Sequence, residues 1–310
     1  MDLIRSPRSS TDAALPTAVA IGNFDGLHLG HLALIERAKH LAEHFELAPA
    51  LMCFEPLPVT FFNPHRPVKR LMSVRDKVAA CRQAGLQRLF MLRFNQAFSQ
   101  LSPEAFVQQF LVDRAGARHV VVGEDFRFGA RASGDASSLK EFGQQFGFEV
   151  HTIDAVLAWG ERIASTRIRD ALTAGDLQTT QAMLGRPYTV SGRVLRGQQL
   201  GRQLGYRTIN LRPPTPPAAH GVYAVRVSGD ATSGLAAHPG VASMGQRPTV
   251  GGLDWLLEVH LFDYDGALYG QHVEVEFVAH IRPEAHFDSL EIMVEQMHDD
   301  AQKAREHLQA

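Results

Sequence analysis

Short apolar runs alternate with longer stretches of helical spacing through the first half of the chain. Ser102 followed by Pro103 is typical of a helix N-cap with proline in the first turn. Strands are predicted at 18–21, 48–54, 88–92, 119–122 and 149–153, and helices at 32–45, 75–84 and 103–114. This β–α alternation predicts a parallel sheet with helices on both faces, whose ligands bind beyond the carboxyl ends of the strands.

The pattern changes near Gly185, after which Gly and Pro are frequent and the apolar runs are short. From Tyr188 onward, apolar and polar residues alternate, which predicts a small antiparallel barrel or sandwich. The predicted strands are 190–195, 221–227, 256–262 and 272–277, the prolines between 213 and 217 form a loop, and residues 289–307 form an amphipathic helix. A chain of 310 residues is long for a single core, so we expect two domains, residues 1–185 and 186–310.

Composition narrows the class of protein. Hydrophobic residues make up 45% of the chain and charged residues 21%, as in ordinary soluble proteins, and the net charge of −2 argues against a broad nucleic-acid-binding face. Because no apolar run approaches about 18 residues and no signal peptide is evident, we expect a cytoplasmic protein without a membrane span. Cys53 and Cys81 lie in apolar stretches and are expected to be buried thiols.

Residues 20–31 (AIGNFDGLHLGH) are the most informative segment of the first half. A strand enters a Gly-rich turn, and a helix begins near Gly30; the free backbone N–H groups of such a helix start attract anions. His28 and His31 are three residues apart and can face one side, where imidazoles can donate hydrogen bonds to phosphate oxygens. Gly22 permits the tight turn. Two alternatives are a capped helix with incidental histidines and a zinc pair, although no matching Cys/His set accompanies it.

The same segment resembles the His-x-Gly-His signature of the nucleotidyltransferase superfamily. In this form it resembles the bacterial bifunctional riboflavin kinase/FMN adenylyltransferases. Two further stretches agree: residues 164–169 (ASTRIR) resemble the family's loop that binds ATP phosphates, and residues 122–129 (VGEDFRFG) resemble its Gly-Glu-Asp-Phe-x-Phe-Gly stretch. The resemblance implies a Rossmann-like nucleotidyltransferase domain that transfers AMP from ATP to FMN, a reaction that needs positioning and charge neutralisation.

By resemblance, His28 and His31 hold ATP phosphates and Asp125 lies near ribose or flavin. The full set implied for ATP and flavin is Gly22, Phe24, Asp25, Gly30, Asp125, Ser165, Thr166 and Arg169. Other interpretations of this set stay open, because Ser165 and Thr166 can be helix N-caps, Arg169 can be solvated, and Asp125 can be a turn residue.

The second half contains three glycines spaced four apart, Gly197, Gly201 and Gly205. The chain has no P-loop motif, so a P-loop kinase is excluded. The glycines can form a phosphate-binding loop or an ordinary hairpin connection. Residues 205–211 (GYRTINL), 240–249 (GVASMGQRPT) and 258–266 (EVHLFDYDG) resemble riboflavin kinase signatures of the same family.

This second resemblance implies a site for phosphoryl transfer from ATP to riboflavin. Thr208 and Asn210 would supply oxygens to Mg²⁺ with ATP, and Glu258 would be the general base; a solvent-facing strand residue is the alternative for Glu258, and a turn residue for Asn210. The substrates implied are ATP, riboflavin and FMN, so the expected function is FAD synthesis from riboflavin. The C-terminal helix would cover the flavin or simply pack on the barrel.

Several positions depart from the family pattern. They are Leu57 for His, Ala164 for Ser, Arg207 for Pro, Ile209 for Ala and Ser243 for Asn. Three other functions are considered: an FMN adenylyltransferase with a degenerate kinase domain, a flavin-binding regulator without turnover, and a tRNA-synthetase fragment. The retained His28, His31 and Glu258 argue against a regulator, and the kinase-like half argues against a synthetase fragment.

Overall fold

A computed structural model describes residues 1–5, 15–196, 207–229, 234–249 and 252–309 of the chain. Its contacts divide the chain into two units. The first comprises Met1–Val68 with Val74–Ala164, and the second comprises Lys69–Ser73 with Ser165–Ala310.

The first unit contains the predicted alternation of strands and helices. Its elements are β1 (Asp2–Ile4), β2 (Thr17–Ile21), α1 (Leu29–His44), β3 (Ala48–Glu55), α2 (Pro58–Phe62), α3 (Val74–Gln83), β4 (Arg88–Arg93), α4 (Gln96–Ser99), α5 (Pro103–Phe106), β5 (Ala117–Gly123), β6 (Arg127–Phe128), β7 (Gly134–Asp135), α6 (Ala136–Phe146), β8 (Glu149–Ile153), β9 (Leu157–Ala158) and β10 (Glu161–Arg162). A π-helical segment, Val107–Val112, continues α5, so the helix predicted at 103–114 is confirmed with a change of winding. Ser102 caps it as predicted, accepting a hydrogen bond from the backbone N–H of Ala105.

Six strands of the described first unit form one sheet, in the order β1-β4-β3-β2-β5-β8, and all of them run parallel. Alternate residues of β2 point to opposite faces. Val19 and Ile21 join a core with α5, the π-helical segment and Leu139 of α6. Ala18 and Ala20 are also fully buried, on the face where α1 packs against β2, β3 and β5. The prediction of a parallel sheet covered on both faces is confirmed.

The second unit opens with two helices and continues with antiparallel strands. Its elements are α7 (Ser165–Thr173), α8 (Leu177–Leu184), β11 (Tyr188–Arg193), β12 (Thr208–Leu211), β13 (Gly221–Gly229), β14 (His238–Thr249), β15 (Gly252–Leu261), β16 (His272–Arg282) and α9 (Leu290–Gln309). Helix α8 packs against β11 and β16, so the helical segment before residue 185 groups with the barrel strands by its contacts.

The described strands of this unit form a curled sheet in the order β11-β16-β13-β14-β15-β12. Every pairing is antiparallel. The two edges approach each other where the backbone N–H of Leu195 donates to the carbonyl oxygen of Asn210 at 2.8 Å. The predicted small antiparallel barrel with a terminal helix is therefore confirmed.

Helix α9 packs on the outside of this sheet, against β13, β14 and β16. Ala304 of the helix is fully buried in a cluster with Ala224 and Phe262. An ion pair fixes the helix as well, because Arg282 at the end of β16 holds the buried carboxylate of Asp300 in two-pronged contact.

A short segment from the first half of the chain, Lys69–Ser73, belongs to the second unit. The backbone N–H of Arg70 donates to the carbonyl oxygen of Pro216, at 2.9 Å, in the predicted proline-rich loop. Across the part of the chain that the structure describes, no helix combines the length and apolar character needed to cross a bilayer.

Candidate functional site

The turn after β2 has an unusual backbone. Phe24 and Leu27 both have positive φ angles, 49° and 44°, and Gly26 has a φ of 87°. Non-glycine residues in this region are strained, and such strain clusters at functional sites. Phe24 is fully buried, and a Cβ on Gly22 would lie 3.3 Å from its ring, so Gly22 leaves room for the aromatic side chain.

The two predicted histidines lie together at the start of α1. His28 is the N-cap residue, and its Nδ1 accepts a hydrogen bond from the backbone N–H of His31 at 3.3 Å. The two rings stack with centroids 3.6 Å apart. A Cβ on Gly30 would lie 3.2 Å from the His28 ring, so Gly30 makes this stacking possible. The sequence motif thus brings two imidazoles to one helix N-terminus, where backbone N–H groups favour anions.

His31 is a neutral imidazole near physiological pH. Burial lowers its pKa well below the usual value, and the neighbouring His28 and Lys77 lower it further. Its Nδ1 is buried and has no hydrogen-bond partner among the described residues. Leaving a buried polar atom without a hydrogen-bond partner costs about 1–3 kcal/mol. Such atoms occur at sites where a ligand completes the hydrogen bonding.

Lys77 is a functional candidate that the sequence analysis missed. Its side chain is fully buried, and Nζ donates to the backbone carbonyl oxygen of Asn23, in the turn, at 2.8 Å. It reaches the turn from α3, a helix whose sequence shows an ordinary polar position at residue 77. The buried amino group of Lys77 therefore lies at the turn, beside the histidine pair.

Asp125, from the second motif of this unit, is paired with a residue that was also missed. A guanidinium nitrogen of Arg162, in β10, donates to its Oδ1 at 2.7 Å. This hydrogen bond is the main cause that lowers the pKa of Asp125, so the carboxylate stays ionised. The two side chains are about half exposed, which leaves the pair accessible to a ligand. Asp25, by contrast, is almost completely buried.

The residues of the third motif lie at the beginning of the second unit. Helix α7 begins at Ser165, so the residue before it is Ala164, which has no capping hydroxyl. Thr166 is exposed. Arg169 is partly buried, and its Nε donates to the carbonyl oxygen of Lys69 at 2.8 Å, which argues against the solvated alternative.

The kinase-like trio lies on one face of two neighbouring strands. Asn210 of β12 lies directly opposite Glu258 of β15, and Thr208 lies opposite His260. Residues two apart on a strand share a face, so Thr208, Asn210 and Glu258 project together. On the other side of β15, Ser243 of β14 lies opposite Glu258. The strand register brings together an amide, two hydroxyls and a carboxylate.

The Asn210 amide is a candidate cation ligand. Asn210 is buried, and its Oδ1 has no hydrogen-bond partner among the described residues. An amide oxygen of this kind suits a hard cation such as Mg²⁺, which takes oxygen ligands. The hydroxyl of Thr208 and the carboxylate of Glu258 supply further oxygens on the same face.

The edge of this face is polar and accessible. His260 shares a hydrogen bond of 2.9 Å with the carbonyl oxygen of Arg207, and the Arg207 side chain pairs with the exposed Asp265. Arg207, which departs from the family's proline, is thus directed toward a surface carboxylate. Gly197, Gly201 and Gly205 lie outside the described residues.

The chain is similar to proteins of known families over both halves. A family model described as FAD synthetase matches residues 10–167, and one described as riboflavin kinase matches residues 184–308. A bifunctional riboflavin kinase/FMN adenylyltransferase of Haemophilus influenzae is 37% identical over 309 residues, with 98% of each chain covered. The protein of the same name in Escherichia coli K12 is 38% identical over 309 residues, with 99% of this chain and 97% of the relative covered.

A solved structure shares the fold over the whole length. The crystal structure named as a macrolide-efflux protein from Streptococcus pneumoniae has a TM-score of 0.81 and 28% identity, and 98% of each chain is covered. That name describes the other protein, and the likeness concerns the order and arrangement of the elements.

Proposed function

The chain belongs to the bifunctional riboflavin kinase/FMN adenylyltransferases, and on that premise we propose which of its residues carry out the two reactions. It is a transferase that makes FAD from riboflavin in two ATP-dependent steps. The first step phosphorylates riboflavin to FMN, and the second transfers AMP from ATP to FMN and releases pyrophosphate. Because both halves match a family model, an enzyme with a degenerate kinase half is not favoured.

We assign adenylyl transfer to the histidine turn after β2. The FMN phosphate oxygen attacks the α-phosphorus of ATP, and the bond from that phosphorus to the pyrophosphate oxygen breaks. The imidazoles of His28 and His31 would donate hydrogen bonds to phosphate oxygens, and the α1 N-terminus adds backbone donors. Gly22, Phe24, Asp25 and Gly30 shape this turn. The close stacking of the two imidazoles is the observation that supports this assignment.

We propose that three residues of α7 also contact ATP phosphates, as the family resemblance implies. Ser165 and Thr166 would donate hydroxyl and backbone hydrogen bonds to phosphate at the start of the helix, where the helix dipole favours anions. Arg169 would add positive charge. Asp125, held ionised by Arg162, would accept hydrogen bonds from ribose or flavin hydroxyls.

We assign riboflavin phosphorylation to the face of β12 and β15. The riboflavin 5′-hydroxyl attacks the γ-phosphorus of ATP, and the bond from that phosphorus to the β,γ-bridging oxygen breaks. Glu258 would accept the hydroxyl proton, a role suited to a carboxylate within hydrogen-bond reach. Asn210, directly opposite, would fix the position of the triphosphate. Gly197, Gly201 and Gly205 would provide backbone N–H groups for the phosphates.

We propose that Mg²⁺ enters with ATP and that Thr208 and Asn210 contribute oxygen ligands in the kinase half. The buried, unpartnered Oδ1 of Asn210 fits this role. When bound, the cation neutralises charge on the phosphates. The buried Cys53 and Cys81 form no disulfide, which supports our placement of the enzyme in the reducing cytoplasm. Residues 1–185 and 186–310 remain our proposed division between the two activities.

Paired substitutions test the assignment of one reaction to each site. Each variant is assayed separately for FMN from riboflavin with MgATP and for FAD from FMN with MgATP. His31→Asn should lower FAD formation by roughly 100-fold, the typical effect of losing one donor to a developing charge, with FMN formation unchanged. Glu258→Gln should lower FMN formation by about 100-fold or more, with FAD formation from FMN unchanged.

The unaffected reaction serves as the folding control in each variant. A variant that lowers both rates to the same extent contradicts separate sites. Full activity of Glu258→Gln in riboflavin phosphorylation would show that Glu258 is not the general base and is simply a strand residue of the barrel.

A further inference from the structure

A second histidine cluster lies in the first unit, away from the residues assigned above. It comprises His119 of β5 with Glu149 and His151 of β8. His119 Nδ1 lies 3.1 Å from His151 Nε2, and Glu149 Oε2 lies 3.7 Å and 3.8 Å from these two nitrogens. The parallel register places His119 beside Glu149, and His151 follows on the same face of β8.

The spacing of these three atoms is that of metal ligands. Zinc binds imidazole nitrogen and carboxylate oxygen at about 2.0–2.2 Å, so tetrahedral ligands lie roughly 3.4 Å from one another. The observed separations, 3.1 to 3.8 Å, bracket that value. Nitrogen-rich sets of this kind suit zinc, whereas Mg²⁺ and Ca²⁺ prefer oxygen ligands alone.

We propose that His119, Glu149 and His151 form a Zn²⁺ site that fastens β8, the edge strand of the parallel sheet, to its neighbour β5. The fourth position would hold water, because the Glu149 side chain is 71% exposed and opens the site to solvent. His119 is almost fully buried under the ring of Phe45, which stacks on it at 4.3 Å and limits its freedom.

The site lies toward the amino ends of the strands, away from the adenylyl-transfer residues. His119 precedes Gly123, the last residue of β5, by four positions, or about 13 Å of strand. The proposed role is therefore structural, and a Zn²⁺ ion there would stabilise the first unit without entering either reaction.

A hydrogen-bond relay is the competing account of the same cluster. A guanidinium nitrogen of Arg37 lies 3.4 Å from His151 Nδ1. If Arg37 donates to Nδ1, a neutral His151 carries its proton on Nε2 and donates it to His119 Nδ1. The positive charge of Arg37 opposes a cation here, while the Glu149 carboxylate favours one. The relay does not require the Glu149 carboxylate. That carboxylate nevertheless lies near both ring nitrogens, which the Zn²⁺ site explains and the relay does not.

Both imidazoles are ready to bind a metal at neutral pH. Burial is the main cause that lowers the pKa of each histidine, with Arg37 contributing in both cases. The neutral ring is the form that ligates zinc, so binding should be lost as the rings become protonated at acid pH.

Titration of the chelator-treated full chain with ZnCl₂, without nucleotide and with excess Mg²⁺, tests the proposal. Calorimetry should show one saturable Zn²⁺ per chain that is lost in His151→Gln. Glu149→Gln lies at an exposed position and should not disturb folding. It should weaken Zn²⁺ binding by at least about 10-fold, since even substitutions of residues around the metal ligands lower metal affinity by roughly 10- to 100-fold. His40→Gln, on the exposed face of α1, is the matched control and should bind as the unchanged protein does.

Arg37→Ala separates the two accounts, because it removes the opposing charge and should tighten Zn²⁺ binding. Co²⁺ in place of Zn²⁺ should give the visible absorption of a tetrahedral site in the unchanged protein and not in His151→Gln. The proposal is overturned if no saturable Zn²⁺ binds, or if the His151→Gln, Glu149→Gln and unchanged proteins bind it equally, which would mean an adventitious ion only. It is also overturned if Arg37→Ala weakens binding.

Discussion

Lys77 illustrates how a single buried lysine can prepare the turn that we propose for adenylyl transfer. Its ammonium group donates to the carbonyl oxygen of Asn23 and lies close enough to His31 to lower the pKa of that imidazole. A buried cation is costly unless its surroundings compensate. The triphosphate of ATP is a polyanion that such a cation attracts, so we regard Lys77 as a positioning residue for the turn.

Lys77→Met should lower FAD formation from FMN by roughly 10- to 100-fold, the effect of losing a hydrogen bond from a charged donor, and leave riboflavin phosphorylation unchanged. The substitution should also raise the His31 pKa toward 6.5. A histidine whose folded pKa is lowered loses stability as pH falls below 6.5, because the unfolded chain takes up the proton first. The stability difference between pH 7.5 and pH 5.5, measured by urea unfolding, should therefore be smaller in Lys77→Met.

Lys77→Arg is the matched variant, since it keeps the charge at nearly the same place. It should retain more FAD formation than Lys77→Met and a pH dependence closer to that of the unchanged protein. An unaltered pH dependence in Lys77→Met would show that the lysine acts only by packing.

Sequence motifs located the histidine pair, but they did not locate Lys77 or Arg162. The motifs are local, so their residues are contiguous whatever the rest of the chain does. Lys77 reaches the turn through the packing of α3, and Arg162 reaches Asp125 through the hairpin of β9 and β10. Contacts of this kind depend on tertiary packing, which no short stretch of sequence encodes.

At the scale of elements, a buried ion pair helps to hold α9 to the barrel. Asp300 is 4% exposed and accepts hydrogen bonds from two nitrogens of Arg282 and from the amide of Gln296. Removing one member of a buried pair leaves the other charge uncompensated. These contacts support the interpretation that α9 packs on the barrel.

Asp300→Asn should destabilise the second unit by about 3 kcal/mol, the low end of the cost of breaking a buried pair. Riboflavin phosphorylation should then be lost at a lower temperature than in the unchanged protein. Asp299→Asn changes the exposed neighbour on the same helix and should leave the melting temperature unchanged. Equal melting of the two variants, measured by thermal unfolding, would show that the Arg282 contact adds nothing to stability.

The strands also show which elements a sequence pattern can predict and which it cannot. Long apolar runs such as β3 were predicted within one or two residues, because burial on both faces leaves a clear pattern. The four-residue strand β12 was identified only as a motif, since it is too short to show alternation. Its register against β15 decides which residues face Glu258, and register is set by pairing that the sequence does not display.

At the scale of the whole molecule, each unit has a hydrophobic core of its own. Among the described residues, the cluster on the sheet of the first unit comprises side chains between Ile4 and Val150. The cluster under α9 comprises described residues of the barrel and of the helix. Separate cores predict that damage to one unit spares the other.

Leu139→Ala and Leu257→Ala form a matched pair for this prediction, because both leucines are fully buried, one in each unit. Each substitution should cost about 2–5 kcal/mol and lower the melting temperature of its own unit by roughly 5–15 °C. After brief heating, Leu139→Ala should lose FAD formation from FMN while riboflavin phosphorylation persists. Leu257→Ala should lose riboflavin phosphorylation and FAD formation as well, because Ser165, Thr166 and Arg169, the proposed ATP contacts of α7, belong to the second unit. If both activities disappear together in Leu139→Ala, the two units unfold as one cooperative structure. Since each activity has its own assay, the same heated samples report on both units.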